Sequence, residues 1–416
     1  MINRNKKGFT IVELVIVIAV IAILAAVLIP TFAGIIKKAN LSADQQAVRQ
    51  MNTALAVYEA ENGKPETIAE AKKALDEALV NVEGGLIPVT QGYAFYWDST
   101  NNEVVLVGED TTIESGWILL SNNGFGKKVE VATVDEIRTT IAASSNENPA
   151  IITLKSDVTS TMQMCANVGN AAIIDLNGKT LTFDTTKICL WAYGGGYLEI
   201  KNGTIVLPST GTNTNSNPSI QNTNSTLILK NVTINSAAEK AVFVKGFSDT
   251  SIIDSTINCT GSWGISTNST DPAADGARIV IENSKITAAT QAYFCSINAD
   301  LVASNSTFTT TKTSGSSAVL VKDGQHEFNN CKFVTPSGCE SISLAHGGAN
   351  YSGSIKAKFN GCEYYNGETK LDKATIVYSA LAANATVTID SDYTVTKGEA
   401  GSTGSLTING TSITLE

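Results

Sequence analysis

The string IKNGTI (200–205) returns as LKNVTI (229–234), as IENSKI (281–286) and as FNNCKF (328–333). Each copy begins and ends with an apolar residue and has Asn at its third position. Related strings recur about every 26 residues, and a fixed period of this length is typical of stacked coils. The region 150–416 is therefore predicted to form a right-handed parallel β-helix, with Asn in the left-handed conformation at a corner.

The repeat pattern resembles the pectate-lyase-like β-helix superfamily in architecture, and this resemblance implies little about activity. Ahead of the first coil, Thr133 and Glu136 are spaced as a capping box, and Ile137 and Ile141 mark the apolar face of a short helix. We expect this helix to cover the open N-terminal end of the coils. The Gly- and Asn-rich stretch 122–128 before it is predicted to be a linker.

The N-terminus has a different character. Residues 14–36 contain no charged side chain, and an α-helix of that length spans roughly 35 Å, enough to cross a bilayer. Arg4, Lys6 and Lys7 precede this stretch. A single transmembrane helix is predicted over about 11–36, with the N-terminus in the cytoplasm.

Two residues of this stretch call for an explanation. Glu13 stands at the edge of the apolar run, where a carboxylate is costly and usually has a partner. Pro30 removes one backbone donor and clashes with the carbonyl of Ala26, which predicts a kink or a loosened turn. A signal peptide cut near Ala25 and Ala26, or a plain membrane anchor with an incidental Glu, remain alternatives on these residues alone.

The string KKGFTIVELVIVIAVIAILAAVLIPTF resembles the leader and N-terminal helix of type IV prepilins. In that family a prepilin peptidase cuts after the Gly and methylates the new N-terminus. The resemblance therefore implies cleavage between Gly8 and Phe9 and N-methylation of Phe9. It also implies that Glu13 of one subunit neutralises the Phe9 amine of a neighbour in an apolar environment, and that Pro30 lies where the helix loosens on assembly.

Beyond the apolar stretch, an amphipathic helix is predicted to continue to Asn62, where Asn-Gly and Pro65 form a stop signal. A second helix after Pro65, a hairpin over 93–107 and a third strand over 117–120 follow. A long helix followed by a short antiparallel sheet resembles the pilin architecture.

The sequence thus predicts an α+β pilin module followed by an all-β parallel β-helix. The expected parts are a prepilin leader at 1–8, a pilin helix at 9–62, a pilin-like head at 63–128, and the β-helix with its capping helix at 129–416.

Catalysis is not expected, and we assign no catalytic residue, metal site or cofactor. Polysaccharide lyases and hydrolases of this fold need clustered acids, often with Ca²⁺, and a basic residue. Arg278 is the only Arg of the repeat region, and the acids are scattered. His326 and His346 are isolated and are interpreted as surface or corner residues. Asp390 and Asp392 are two apart and could share a strand face, but two carboxylates alone are weak evidence for a site.

Aromatic residues instead favour a binding role, because such side chains stack on sugars and anchor protein interfaces. The alternative is that many of them pack inside the coils. The candidates are Trp191, Tyr193, Tyr197, Trp263, Tyr293 and Tyr351.

Two cysteines occupy the same repeat position in successive coils. Cys331 and Cys362 are therefore expected to stack, either as buried thiols or as a disulfide.

The charge balance of the 416 residues excludes one class of partner. A net charge of −10 is unsuited to neutralising phosphates, so no nucleic acid is expected. The resemblance implies other partners: further pilin subunits, prepilin peptidase, the assembly platform and its ATPase, and the cell membrane before assembly.

Together these features predict a type IV pilin-like subunit that moves from the cell membrane to an extracellular pilus. Its bulky β-helix favours a minor or tip subunit that binds a glycan or a host or surface receptor. The alternatives are a surface-tethered polysaccharide-active enzyme and, third, a pseudopilin of a secretion system.

Overall fold

The computed structural model describes most of the chain, and few side chains within 11–33 are included in that description. The described residues are 11–66, 68–78, 87–108, 111–114, 116–146, 148–209, 218–267, 276–345, 354–379, 384–397 and 405–413.

The first part of the fold is a long helix with a small head, as predicted. The helices are α1 (Ile11–Asn62) and α2 (Ile68–Ala78), and the strands are β1 (Tyr93–Asp98), β2 (Glu103–Gly108) and β3 (Trp117–Asn123). The three strands form an antiparallel sheet in the order β2-β1-β3. Helix α1 continues without interruption across Pro30.

The head packs against the C-terminal half of α1. Met51 and Leu55, one turn apart, are buried against Phe95, Trp97 and the apolar side of α2, because residues four apart lie on one helix face. A polar residue of α1 also takes part. The buried Asp44 carboxylate accepts hydrogen bonds from the backbone N–H groups of residues 89 and 90, at 2.7 and 2.9 Å.

The second part is a parallel β-solenoid in which each coil adds strands to three stacks. The first stack contains β4 (Lys127–Val131), β5 (Ala150–Leu154), β8 (Ala171–Asp175), β11 (Tyr197–Leu207), β13 (Thr226–Ser236), β15 (Asp249–Ile253), β18 (Ala277–Glu282), β21 (Ala299–Ser304), β24 (Gly324–Asn329), β27 (Ile355–Asn360), β31 (Ala385–Ile389) and β33 (Leu406–Ile408). The long strands β11 and β13 turn a corner and continue in the second stack.

The second stack also contains β6 (Val158–Ser160), β9 (Thr180–Phe183), β16 (Thr256–Cys259), β19 (Lys285–Ala288), β22 (Thr307–Thr310), β25 (Lys332–Thr335) and β28 (Glu363–Asn366). Two short antiparallel additions are β29 (Thr369–Leu371) and β34 (Thr411–Ile413).

The third stack has ten strands: β7 (Met164–Ala166), β10 (Leu190–Tyr193), β12 (Ile220–Thr223), β14 (Lys240–Lys245), β17 (Trp263–Ser266), β20 (Gln291–Cys295), β23 (Ser317–Val321), β26 (Glu340–Ala345), β30 (Lys373–Ser379) and β32 (Asp392–Lys397).

The repeated Asn forms the corner between the first and second stacks. Asn residues, and in one coil Asp254, adopt φ values between 49° and 60° there, a conformation that Asn and Asp tolerate better than most residues. The corner side chains also bond along the solenoid axis: the Asn231 amide donates to Asn202 at 3.0 Å, and that of Asn202 donates to Asp175 at 3.1 Å. The repeated corner therefore links these successive coils along the axis.

The N-terminal end of the solenoid is covered by α3 (Val134–Ala142). Its capping box is present as predicted, with Thr133 and Glu136 bonded reciprocally. Ile137 and Ile141 are buried in the solenoid core. The predicted linker 122–128 is a compact corner instead, in which Asn122 exchanges two hydrogen bonds with the buried Phe125.

Candidate functional site

The residues predicted for processing and assembly lie at the N-terminal end of the chain. Gly8 and Phe9 lie outside the described residues. Glu13 and Pro30 lie within α1, but their side chains are outside the described part. Among the described residues, no helix combines the length and hydropathy needed to cross a bilayer. The predicted span over about 11–36 falls largely on side chains outside the description.

The described side chains in this half of α1 are apolar and exposed. Val15, Ile18, Phe32 and Ile36 are each 57–58% exposed. Apolar surface of this kind typically marks a contact with another protein or with a membrane. The N-terminal half of α1 therefore presents a surface suited to an apolar surrounding.

Head and solenoid share a buried interface that the sequence analysis did not predict. Ala94 and Tyr96 point away from α1 and pack against Ile173 and Tyr197 of the first stack. The Tyr96 hydroxyl donates to the carbonyl of Asn146 at 2.7 Å. The sequence did contain a sign of this interface. Strand β1 is apolar on both faces, which is typical of strands that are covered on both sides.

A charged cluster joins α2 to the first stack beside this interface. Lys72 is 7% exposed, and its ammonium lies 3.1 Å from the Asp249 carboxylate and also contacts the Thr226 hydroxyl. The Arg278 Nε donates to the same carboxylate at 2.8 Å, and its Nη1 donates to the carbonyl of Lys72 at 2.7 Å. The only Arg of the repeat region therefore binds the head to the solenoid.

The pKa values in this cluster follow from burial and from the opposed charges. Burial lowers the pKa of Lys72, although Asp249 acts in the other direction. Burial alone would raise the pKa of Asp249, but Arg278 and then Lys72 outweigh it and hold that pKa below its usual range. Asp249 is therefore the charged centre on which both cations depend.

A second acid lies at the same interface. The Tyr197 hydroxyl donates to the Glu199 carboxylate at 3.1 Å. Burial raises the pKa of Glu199, and Lys201, 3.7 Å away, opposes the shift. Glu199 therefore takes up a proton at a higher pH than an exposed glutamate.

We predict that Asp249→Ala will loosen α2 from the solenoid. Two cations lose their counter-ion in a poorly solvated site, and breaking such a pair costs about 3 kcal/mol or more. Hydrogen exchange of the α2 amides should accelerate about a hundredfold, since about 1.4 kcal/mol corresponds to a factor of ten. The measurement is hydrogen exchange with mass spectrometry on the full chain in detergent.

The pH dependence gives this prediction its control. Because the folded pKa of Asp249 is lowered, the folded chain holds fewer protons there than the unfolded chain. The stabilisation is complete above about pH 4 and is lost as the pH falls through the folded pKa. The gap in α2 protection between wild type and Asp249→Ala should shrink in acid. The exposed Asp392→Ala is the matched variant, and equal exchange in both variants would contradict the assigned role.

The third stack carries a row in which aromatic and polar residues alternate, on the side that faces away from the core. Paired strands place Trp191, Gln221, Phe243, Ser266 and Phe294 side by side in successive coils. Their strand neighbours point into the solenoid core, so these five side chains point away from it. All of them except Trp191 are nevertheless covered and at most 8% exposed. We name this row the aromatic track.

Further aromatic and basic side chains flank the track. The Tyr193 ring is 41% exposed and lies 4.6 Å from that of Trp191. Trp263 stacks on Phe294, with 4.9 Å between ring centroids, and its Nε1 donates to Gln291 at 2.8 Å. The Lys240 ammonium lies 4.5 Å from the Phe243 centroid. The site thus combines ring faces with cations.

The track leads into a polar groove at the N-terminal end of the solenoid. Cys165, which pairs with Trp191 across the first two strands of the stack, lines a cavity of about 860 Å³. Arg138, Lys187 and Asp184 line it as well. Such a groove offers hydrogen-bonding groups at one end of the aromatic track.

Other candidates from the sequence are core residues. Tyr197 and Tyr293 are 2% and 0% exposed, and Tyr351 and His346 lie outside the described residues. The prediction that His326 lies at the surface or at a corner is wrong. Strand alternation turns its ring into the solenoid, where its Nε2 lies 2.7 Å from the Asp323 carbonyl. Burial lowers its pKa to about 4, so the ring is neutral near pH 7.

Asp390, one of the acids considered as a possible site, lies at a corner of the solenoid. Asp390 accepts a hydrogen bond from the backbone N–H of Gly361 at 2.6 Å. It follows β31, whereas Asp392 begins β32, so the two do not share a strand face. Among the described residues, no three His, Cys, Asp or Glu side chains come together as a metal site requires.

The two stacked cysteines are free thiols. They occupy the corner position that Ser255 and Ser284 hold in earlier coils. Like those hydroxyls, the thiols contact backbone carbonyls: Cys331 reaches Asn329 at 3.4 Å and Cys362 reaches Phe328 at 3.3 Å. Burial raises the pKa of Cys331 to about 11. Both thiols are therefore placed as packing groups.

Comparison with known proteins bears on the N-terminus. Residues 3–29 match the prokaryotic N-terminal methylation motif. At its N-terminus the chain is 68% identical over 37 residues to the major component of the type IV wide pilus of Thermus thermophilus. This match covers 9% of the chain and 28% of that relative. No solved structure matches the chain. The predicted methylation motif and pilin-like N-terminus are confirmed, and they support a pilin-type subunit.

Proposed function

We propose that the chain is a minor or tip subunit of a type IV pilus-like filament, displaying its solenoid for adhesion or for binding a glycan or receptor. Prepilin peptidase removes residues 1–8 and methylates Phe9. Before assembly, the processed subunit is anchored in the cell membrane by α1. The assembly platform and its ATPase then move it into a filament outside the cell.

One observation carries this proposal. The methylation motif extends into a helix whose N-terminal half carries exposed apolar side chains; Val15 and Phe32, for example, are more than half exposed. Exposed apolar surface is unfavourable in water unless a membrane or another protein covers it. A membrane before assembly and neighbouring pilin helices afterwards would each supply that cover. The T. thermophilus relative is itself a pilus component, which supports pilin subunits as partners.

The position in the filament follows from the size of the solenoid. Its third stack alone has ten strands, and Lys72, Asp249 and Arg278 bind the head to the first stack. The solenoid is thus held against the side of the head. If every subunit of a filament carried such a solenoid, the solenoids would crowd neighbouring subunits. We therefore favour a minor subunit, or one at the tip.

Gold labelling with an antibody against the solenoid tests this placement on sheared filaments. Labels at one end, or few labels per filament, are the expected result. Continuous labelling would make the chain a major subunit. Label that stays in the membrane fraction would favour a pseudopilin.

The enzyme alternative is tested by incubating the full chain in detergent with panels of polysaccharides and measuring their length. Shortened products would establish an enzyme and contradict the adhesive role. Retention of a glycan without shortening would support the adhesive role.

A further inference from the structure

A cavity of about 520 Å³ lies where the head meets the solenoid. On the head side it is lined by Ile68 of α2 and Leu119 of β3. On the solenoid side it is lined from three successive segments that lead from the third stack to the first, at 195–197, 224–226 and 247–249. Its volume is within the range of about 300–1,000 Å³ that is typical of small-molecule sites. We name it the junction cavity.

Apolar groups supply most of the wall of the junction cavity. Leu119, Tyr197 and Phe247 line it. Phe247 is 64% exposed, and its position is fixed by its backbone N–H, which donates to the Asn224 side chain at 2.9 Å. Burial of such a concave apolar surface by an apolar ligand is favourable, because it removes both from water.

Backbone forms a further part of the wall. Gly196 lines the cavity, and a Cβ there would lie 2.3 Å from the carbonyl oxygen of Ala166, so no side chain fits at this position. Gly195 also lines the cavity and has a φ of 94°. A Cβ at Gly195 would meet no atom within 4 Å. A side chain at position 195 would therefore extend into open space at the wall, and it could fill part of the cavity without a clash.

The charged groups around the cavity leave one positive charge in excess. Three cations, Lys72, Lys73 and Arg278, lie beside the two carboxylates of Glu70 and Asp249. Lys72 and Arg278 both bind Asp249. Within the described part of the chain, the exposed Lys73 donates to no acceptor. An anionic group at the opening of the cavity would therefore meet a cation that is free to pair with it.

We infer that the junction cavity binds an amphiphilic anion, a small molecule with an apolar body and one carboxylate at its end. The apolar body fills the space between Leu119, Tyr197 and Phe247, and the carboxylate lies at the opening beside Lys73. A neutral molecule of the same shape would gain the burial but not the ion pair. This inference goes beyond the proposed function and does not depend on the position of the subunit in a filament.

A ligand in this cavity would contact the head and the solenoid at once. It would therefore bind the arrangement in which α2 is docked and not a chain in which α2 has separated from Asp249. A ligand that binds only one state stabilises that state by RT ln(1 + [L]/Kd). At a ligand concentration of about a hundred times Kd, hydrogen exchange of the α2 amides should slow by up to about a hundredfold.

Photolabelling of the full chain in lipid nanodiscs tests the inference, since a detergent would itself compete as an amphiphile. The probe is dodecanoic acid with a diazirine at the end of its chain, and the matched uncharged probe is the corresponding alcohol. Mass spectrometry should place the adducts of the acid on peptides that contain Ile68, Tyr197 or Phe247. Unlabelled dodecanoic acid should reduce these adducts and should slow hydrogen exchange of α2.

Two variants separate the apolar and the charged part of the site. Gly195→Asn should reduce labelling at the cavity about tenfold or more, because asparagine tolerates positive φ and its side chain occupies the space. Gly178→Asn is the matched control, since Gly178 has a φ of 73°, open space at its Cβ and no place in the cavity wall. Lys73→Gln should reduce labelling by the acid about two- to fivefold, the size expected of an exposed ion pair. It should leave labelling by the alcohol unchanged.

Adducts spread over the whole chain, or adducts that persist in Gly195→Asn, would overturn the junction cavity as the site. Equal labelling by the acid and the alcohol, or an unchanged preference for the acid in Lys73→Gln, would overturn the assignment of an anion. These failures leave processing and filament incorporation untouched, because labelling is measured on purified chain. A failure of incorporation, in turn, leaves the labelling result standing.

Discussion

Gly8→Val is expected to leave the whole chain unprocessed in the membrane. If the peptidase cuts between Gly8 and Phe9, the added isopropyl side chain lies directly beside the bond to be broken. The resemblance to prepilins implies that the peptidase accepts Gly there. Mass spectrometry of the membrane fraction should find residues 1–8 still attached and Phe9 unmethylated. The wild-type chain should begin at methylated Phe9. Filaments should contain none of the variant.

A second glycine of the same N-terminal region provides the control. A Cβ at Gly34 in α1 would meet no atom within 4 Å, so Gly34→Val should be processed normally. A wild-type chain that begins after Ala26 would instead support the signal-peptide alternative and contradict cleavage after Gly8.

Much of the fold follows from local patterns in the sequence. The corner Asn recurs because few residues tolerate positive φ, so the coil period is visible in the chain itself. The capping box at Thr133 and Glu136 is likewise a local device, and it forms as expected. The hairpin of the head, with its turn-rich connector, is a further local feature. In each case neighbouring residues determine the conformation.

The relation between head and solenoid could not be predicted in the same way. Lys72 and Arg278 are far apart in sequence, and only the folded chain brings them to Asp249. His326 shows a related limit. An isolated His is usually exposed, but its place in the strand alternation turns it inward, where a backbone carbonyl satisfies one ring nitrogen. Tertiary packing decided both outcomes.

The aromatic track lies between these cases. Trp191, Tyr193 and Trp263 were visible as candidates, because aromatic residues are conspicuous in a chain rich in Thr, Ser and Asn. Phe243 and Phe294 were missed, since their place in apolar strands resembles that of core residues. Only the strand register shows that they point away from the core in one row.

Glu13→Gln is expected to separate processing from assembly. The variant should insert and be cut as well as wild type or better, because a charge leaves the apolar stretch. In a filament, however, the methylated Phe9 amine of the neighbouring subunit would face no carboxylate. An unpaired ammonium in an apolar environment costs about 3–5 kcal/mol, which corresponds to a loss of incorporation of about a hundredfold or more. Quantitative immunoblots of the membrane fraction measure insertion and cleavage, and those of sheared filaments measure incorporation.

The exposed Glu61→Gln, near the far end of the same helix, is the matched control, because it removes one carboxylate where solvent already satisfies it. It should enter filaments like wild type. If Glu13→Gln also enters at wild-type levels, charge pairing does not control the entry of this subunit. That result would point to a position with fewer neighbours to satisfy. A tip subunit has such a position, since its helix is enclosed from one side only and its amine can remain hydrated.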